Sequence, residues 1–174
     1  MSEKKAAKKP IYAIVRYSDN VAPKEGTISA HGKVLKEHGY VWVGKFGKTM
    51  GQVKMARLLS QIKKDIDTYL FLVRSVKGDQ NIIVARLVDI QKYIPPEELD
   101  KVPQYYRGKK RFVGVWFKVT EFWEGDIQLL RSLIVSSSGM FAFHALSGSM
   151  AGMFFVKPLE DFSLSEAKLK KLSF

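Results

Sequence analysis

Two β-branched and aromatic runs, Tyr69 to Val76 and Ile82 to Asp89, are joined by Lys77-Gly-Asp-Gln-Asn81. This pairing constrains the fold more than any other feature, because a five-residue connection with Gly between two such runs reads as a β-hairpin. The runs around it extend the same pattern. Ile11-Tyr-Ala-Ile-Val-Arg-Tyr17, opened by Pro10 and closed by Ser18-Asp-Asn20, makes a first strand. Phe112 to Thr120 makes another, with Val113, Val115, Phe117 and Val119 on one face and Gly114, Trp116 and Lys118 on the other. Aromatic residues on both sides imply that both faces of that strand are covered. Met140 to His144 and Met153 to Val156 read as late strands, and Pro95-Pro96 stops the sheet.

Helices are fewer. Gly51 to Ile66 carries Met55, Leu58, Leu59, Ile62 and Ile66 at helical spacing, with Lys54, Arg57, Gln61 and Lys64 on another face, so one side is core and the other basic. Residues 18–39 form a long connection with a short helix near Lys33 to His38, and Asp126 to Leu133 is a second short helix. Ser163-Leu-Ser-Glu166 is a capping box that opens a last one. The expected fold is α+β: a strongly bent mixed sheet or pseudo-barrel flanked by a few helices. Residues 1–10 read as a disordered basic arm, 11–162 as one domain, and 163–174 as a C-terminal helix at the start of a linker.

At 174 residues and 46% hydrophobic composition the chain can bury one substantial core. Its longest apolar stretches fall far short of the ~20 residues that a membrane helix requires, and the lysine-rich Met1–Pro10 lacks the apolar segment of a signal peptide. A cytoplasmic protein is expected. Without Cys there is neither a disulfide framework nor a thiolate zinc site. His31, His38 and His144 form no metal spacing and read as ordinary surface or core histidines, so no metal and no cofactor are expected. The 29 Lys+Arg exceed the 17 Asp+Glu to give a charge of +12. That excess favours a polyanionic partner, since each phosphate neutralised releases condensed counterions. A lysine-rich surface on a protein from a hot environment fits the same numbers.

Several apparent catalytic motifs fail on chemistry. Gly39-x4-Gly44-Lys45 imitates a phosphate-binding loop, but Phe46 stands where Ser or Thr must hold magnesium. Ser136-Ser-Ser-Gly139 and Ser147-Gly-Ser149 near His144 lack a nucleophile elbow and read as turns. Glu97-Glu98, beside prolines, reads as a solvated helix start. The chain is therefore expected to be a binding domain and not an enzyme, with no catalytic residue.

What remains is aromatic and basic. Gly39-Tyr-Val-Trp-Val-Gly-Lys-Phe-Gly-Lys-Thr49 and Tyr105-Tyr-Arg-Gly-Lys-Lys-Arg-Phe112 both interleave rings with cations. Rings can stack on bases and cations can meet phosphates, so two such loops flanking a pocket could hold an extruded nucleotide. Tyr105 and Tyr106 suit core packing equally well. Trp116, mid-strand, is core; Trp123 is either a lid on the core or an exposed anchor.

The order Tyr12-Ala-Ile-Val-Arg-Tyr-Ser-Asp19, Gly39-Tyr-Val-Trp42, Thr68-Tyr-Leu-Phe-Leu-Val-Arg-Ser-Val-Lys-Gly78, Val84-Ala-Arg-Leu87 and Arg111-Phe-Val-Gly-Val-Trp-Phe117 resembles the YTH and EVE branch of the PUA-like superfamily. Within it, the chain is most similar to the N-terminal DNA-binding domain of archaeal McrB-type restriction GTPases. The resemblance implies an aromatic cage that receives a methylated base flipped from DNA, with N6-methyladenine favoured over 5-methylcytosine. It implies Trp42 as one cage wall, Tyr105 and Tyr106 in place of a second Trp, and Arg16 and Ser18 as contacts to the base or its backbone. Lys45, Lys48, Lys54, Arg57, Arg107, Lys109, Lys110 and Arg111 would meet the nucleic-acid backbone. A GTPase motor and a nuclease, fused or assembled, are the implied partners; a reader of an unpaired or modified RNA base is the alternative.

Overall fold

The structure is a computed structural model, and it describes residues 8–22, 24–148, 152–160, 163 and 167–174, without the Val21 side chain. Among the described residues, eight strands form one mixed sheet: β1 (Tyr12–Tyr17), β2 (Val41–Phe46), β3 (Tyr69–Arg74), β4 (Asn81–Gln91), β5 (Val113–Asp126), β6 (Leu133–Val135), β7 (Met153–Pro158) and β8 (Lys170–Lys171). Their order is β2-β5-β4-β3-β1-β7-β6, with β8 paired to β5. The expected hairpin is there as β3 and β4, antiparallel with Phe71 opposite Val84. β1 runs parallel to β3, and the connection between them carries α1 (Thr27–His38), β2 and α2 (Gln52–Lys63). A parallel pair needs such a crossover, whereas the antiparallel neighbours close with short turns.

Alternation along the strands builds two cores, one on each side of the sheet. Ile11, Ala13 and Val15 of the first strand, Leu70 and Leu72 of β3, and Val115, Phe117 and Val119 of β5 face α1 and α2. Tyr12, Ile14, Phe71, Val73 and Val84 face the other way, onto the 3-10 turns at Ile127–Ser132 and α3 (Ala142–Gly148). Both faces are covered, as the aromatic loading of β5 requires. A third, smaller cluster joins Trp42, Val102, Tyr106, Val113 and Trp116 where residues 94–113 fold over the outer side of β2.

The structure corrects several local expectations. Residues 41–46 are a strand and not a loop, because Val41 and Val43 enter the core opposite Val119 and Phe117. The helix near Lys33 begins six residues earlier, at Thr27, where Asp19 Oδ1 accepts from the Thr27 amide at 2.9 Å. Met140–His144 is not a strand: Phe141 makes one bridge to Ile134 and the chain then turns into α3, whose Ala142 is buried. The capping box over residues 163–166 lies largely outside the described residues, and the expected terminal helix gives way to strand at Lys170–Lys171. There Leu169 packs against Gly125 and Phe174 against Gly32, so the terminus is held by the sheet and α1.

Part of the polar side of α2 meets the protein, while Lys64 at its C-terminal end is exposed. Gln61 is buried, and its amide accepts from Ile11 N at 2.8 Å and donates to Ile11 O at 2.9 Å, satisfying the backbone just before β1. Arg57 donates to the Lys9 carbonyl, and Lys54 lies over the Phe155 ring and reaches Ser136. Ile66, expected on the core face, lies past the end of α2 and is 42% exposed, and Gln61 is buried because a polar side chain can satisfy an unpaired backbone edge.

Candidate nucleic-acid interface

A cavity of roughly 330 Å3 opens between the end of β1, the start of α1, β2 and the 3-10 segment Gln104–Phe112. Arg16 and Ser18 line it from the first strand, His31 from α1, Lys45 and Phe46 from β2, and Tyr105 and Tyr106 from the 3-10 segment. Four residues far apart in sequence and expected at a base site (Arg16, Ser18, Tyr105 and Tyr106) thus share one cavity, and Lys45 joins them.

Rings dominate the wall. Tyr106 stacks on Tyr105 with centroids 4.3 Å apart and on Phe46 at 5.4 Å, both at 27° between planes. Its edge meets Trp116 at 5.2 Å, and its hydroxyl donates to the Gly44 carbonyl at 3.0 Å. A Cβ at Gly44 would come within 2.8 Å of Trp116 and 3.0 Å of Tyr106, so the glycine makes room for the stack. Burial pushes the Tyr106 phenol well above its usual value, and the ring is a fixed floor. Tyr105 and Phe46 are only half-buried, which leaves ring surface for a ligand.

Trp42, expected as a cage wall, is not among this cavity's lining residues. It is 2% exposed, and its indole N–H donates to Glu98 Oε2 at 3.0 Å. Glu98 also accepts from the Tyr40 hydroxyl at 2.8 Å, and these donors, Trp42 first, hold its carboxyl below the usual range. Glu97 and Glu98 do open a helical segment, the 3-10 turns Pro96–Lys101, and there Glu98 also serves as the partner of two rings. The reason for the misplacement is alternation: Trp42 points away from the main core, and on that side residues 94–106 cover it. Trp123, 8% exposed within the second core, is a lid on that core, with Arg86 5.6 Å above its ring.

Cations gather on two adjoining segments. Arg107, Lys109, Lys110 and Arg111 are exposed along the 3-10 segment, and Lys48 is exposed on the loop after β2. Gly47 N donates to Phe112 O at 2.9 Å, tying the two segments together. They can approach closely because Gly114 has no side chain; a Cβ there would lie 2.3 Å from the Gly47 carbonyl. Lys45 Nζ donates to the Phe46 and Lys48 carbonyls at 3.1 and 3.2 Å, and burial lowers its pKa. Lys54 and Arg57, expected at the backbone interface, are engaged elsewhere as described above.

Arg16 donates to the Leu146 carbonyl, and with Leu146 it also lines a neighbouring cavity. Ser18 is positioned by its turn, its Oγ accepting from Asn20 N at 3.2 Å. Sequence reasoning missed His31 and Phe46 as cavity residues; helical and strand periodicity place both only once the partner elements are known. Near the serine turns, Ser147 Oγ donates to the His144 carbonyl, not to its ring. No His/Cys/Asp/Glu cluster able to hold a metal occurs among the described residues. No helix among them is long and apolar enough to cross a membrane.

The structure is a mixed sheet flanked by short helices, with a ring-walled cavity beside exposed cations. The chain belongs to the Pua-like family, whose model matches residues 13–150. No curated protein and no solved structure matches it.

Proposed function

We propose that the protein binds DNA carrying a methylated base, N6-methyladenine above all, and takes that base, flipped out of the duplex, into the Arg16–Tyr105 cavity. One observation carries the reading: the cavity is ring-walled, of a size that small ligands occupy (~300–1,000 Å3), and adjoined by the cations of residues 107–111. Tyr105 and Phe46 supply stacking surface in place of Trp42, and a methyl group adds apolar area that such rings favour. Arg16 and Ser18 meet the polar edge of the base or its sugar-phosphate, and Lys48, Arg107, Lys109, Lys110 and Arg111 follow the strand. The order of the sequence motifs, read as a resemblance to the DNA-binding domains of restriction GTPases, extends this proposal to the specificity module of a modification-dependent restriction system.

Fluorescence anisotropy with duplexes differing by one methyl group tests this. Methylated duplex should bind more tightly than unmodified duplex or single-stranded RNA. Tyr105→Ala should weaken that binding by ~1–3 kcal/mol, the worth of one stacking partner, with the melting temperature of the protein little changed. Tighter binding of RNA, or indifference to the methyl group, overturns the reading.

A further inference from the structure

The cavity walled by Tyr105 has a larger neighbour. The second cavity, of roughly 700 Å3, is lined by the ends of β1 and β3, the turn from β3 to β4, Ile127 and Gln128 of the 3-10 turns, and α3. Arg16 and Ser75 line both cavities. The two lie on opposite faces of the sheet. Val15, Val43 and Leu72 of the first belong to the core beneath α1 and α2, whereas Val73 and Ile127 of the second belong to the core beneath α3. They meet where the parallel pair of strands stops: Tyr17 is opposite Arg74, and Ser75 N donates to the Tyr17 carbonyl at 2.7 Å. The bond from Arg16 to the Leu146 carbonyl, on the wall of the second cavity, holds the guanidinium at this boundary.

The second cavity has the chemistry of a nucleotide seat. Val76 in its lining is 54% exposed and the Phe143 ring is half-buried, so apolar surface is open to the face of a base. Gln80 and Gln128 are exposed there, and their amides both donate and accept, as the mixed edge of a base requires. Arg16, Arg74 and Lys77 stand against one carboxylate among the described lining residues, Asp79, which is paired with Arg74 at 2.7 Å. Arg131 adds a further cation 4.1 Å from the centre of the Phe143 ring. On a chain of charge +12, that balance selects an anionic ligand.

We propose that the protein seats two consecutive unpaired nucleotides of one DNA strand, one in each cavity, with the strand crossing the end of the β1–β3 pair and Arg16 at the phosphodiester between them. The proposal rests on the reading of the first cavity as a base pocket, but it requires no methyl group on either base. Each base then contributes its own stacking, and each cavity answers to a different base.

The test uses the full chain and duplexes with a bulge of two adjacent adenines, either of which is replaced in turn by an abasic residue. The replacement keeps the phosphates and the flexibility of the bulge and removes only the base. Wild type should bind the intact bulge about fivefold or more tighter than either abasic duplex, the lower end of what one stacked base supplies. Val76→Asp, at an exposed position, puts a carboxylate into the second cavity and should erase the dependence on one adenine while leaving the other; Tyr105→Ala should erase the other. Wild-type dependence on fewer than two adenines, or both dependences surviving in Val76→Asp, overturns the proposal. The two levels separate cleanly. If wild type depends on one adenine and Tyr105→Ala erases that dependence, the base pocket stands and the second seat falls. If Tyr105→Ala changes no affinity, the pocket reading falls and takes the two-nucleotide proposal with it.

Discussion

At the scale of single residues, Trp42 and His31 are both buried, Trp42 against the expectation from its sequence context. A lone Trp among glycines and lysines looks exposed, yet it is bound to Glu98 inside the third cluster. Trp42→Ala should therefore cost about 3–5 kcal/mol of stability, the range for removing a large buried ring, and denaturant melts would show it before any binding assay could. Trp42→Phe keeps most of the volume and removes the bond to Glu98, so its cost should be nearer ~1 kcal/mol. His31 makes stability depend on pH in a window of its own. Its pKa falls from 6.5 in the unfolded chain to about 4 when folded, so below pH 6.5 the unfolded state binds a proton that the folded state refuses. Stability is complete above that value and declines as the pH falls toward 4, by about 3 kcal/mol in all. Asp19 and Glu98, with ordinary values of 3.8 and 4.5, are held lower by folding and lose their contributions mainly at lower pH. Urea midpoints between pH 7 and 5 should thus decline in wild type and stay flat in His31→Phe; a flat wild-type profile would mean that the imidazole is solvated.

Among the elements, the 3-10 segment Gln104–Phe112 does two things at once. Its first ring pair walls the cavity, and its last residues present Lys109, Lys110 and Arg111 to solvent. Phosphate contacts hold a strand without reading it, so neutralising all three cations should weaken binding to methylated and unmodified duplexes about equally. The slope of log K against log salt should become shallower by up to about 0.9 for each phosphate no longer neutralised. An unchanged slope would place these cations away from the DNA. α2 offers the opposite lesson, since Lys54 and Arg57 look equally suited to phosphate in sequence but contact Phe155, Ser136 and Lys9. A charge faces solvent or a neighbour according to what packs beside it, and the sequence of one helix does not contain that information.

For the molecule as a whole, rings inside a cavity cannot stack on a base still held in a duplex, so the proposed function demands extrusion. A mismatch at the target removes part of the few kcal/mol that unpairing and unstacking require, and affinity should rise accordingly. A 2-aminopurine placed beside the target should brighten on binding. Equal affinity for matched and mismatched duplexes, with no fluorescence rise, would exclude flipping. The sequence alone determined the α+β class, the β3–β4 hairpin, the two-sided burial of β5 and the basic character, because each follows from local alternation, turn residues or composition. It also singled out Arg16, Ser18, Tyr105 and Tyr106 through resemblance. Only the tertiary structure decided that these four share a cavity, that Phe46 and His31 join them, and that Trp42, Lys54 and Arg57 do not. Alternation assigns a side chain to one of two faces, but what covers each face depends on elements as distant in the chain as residues 42 and 98, and that pairing exists only once the sheet has formed.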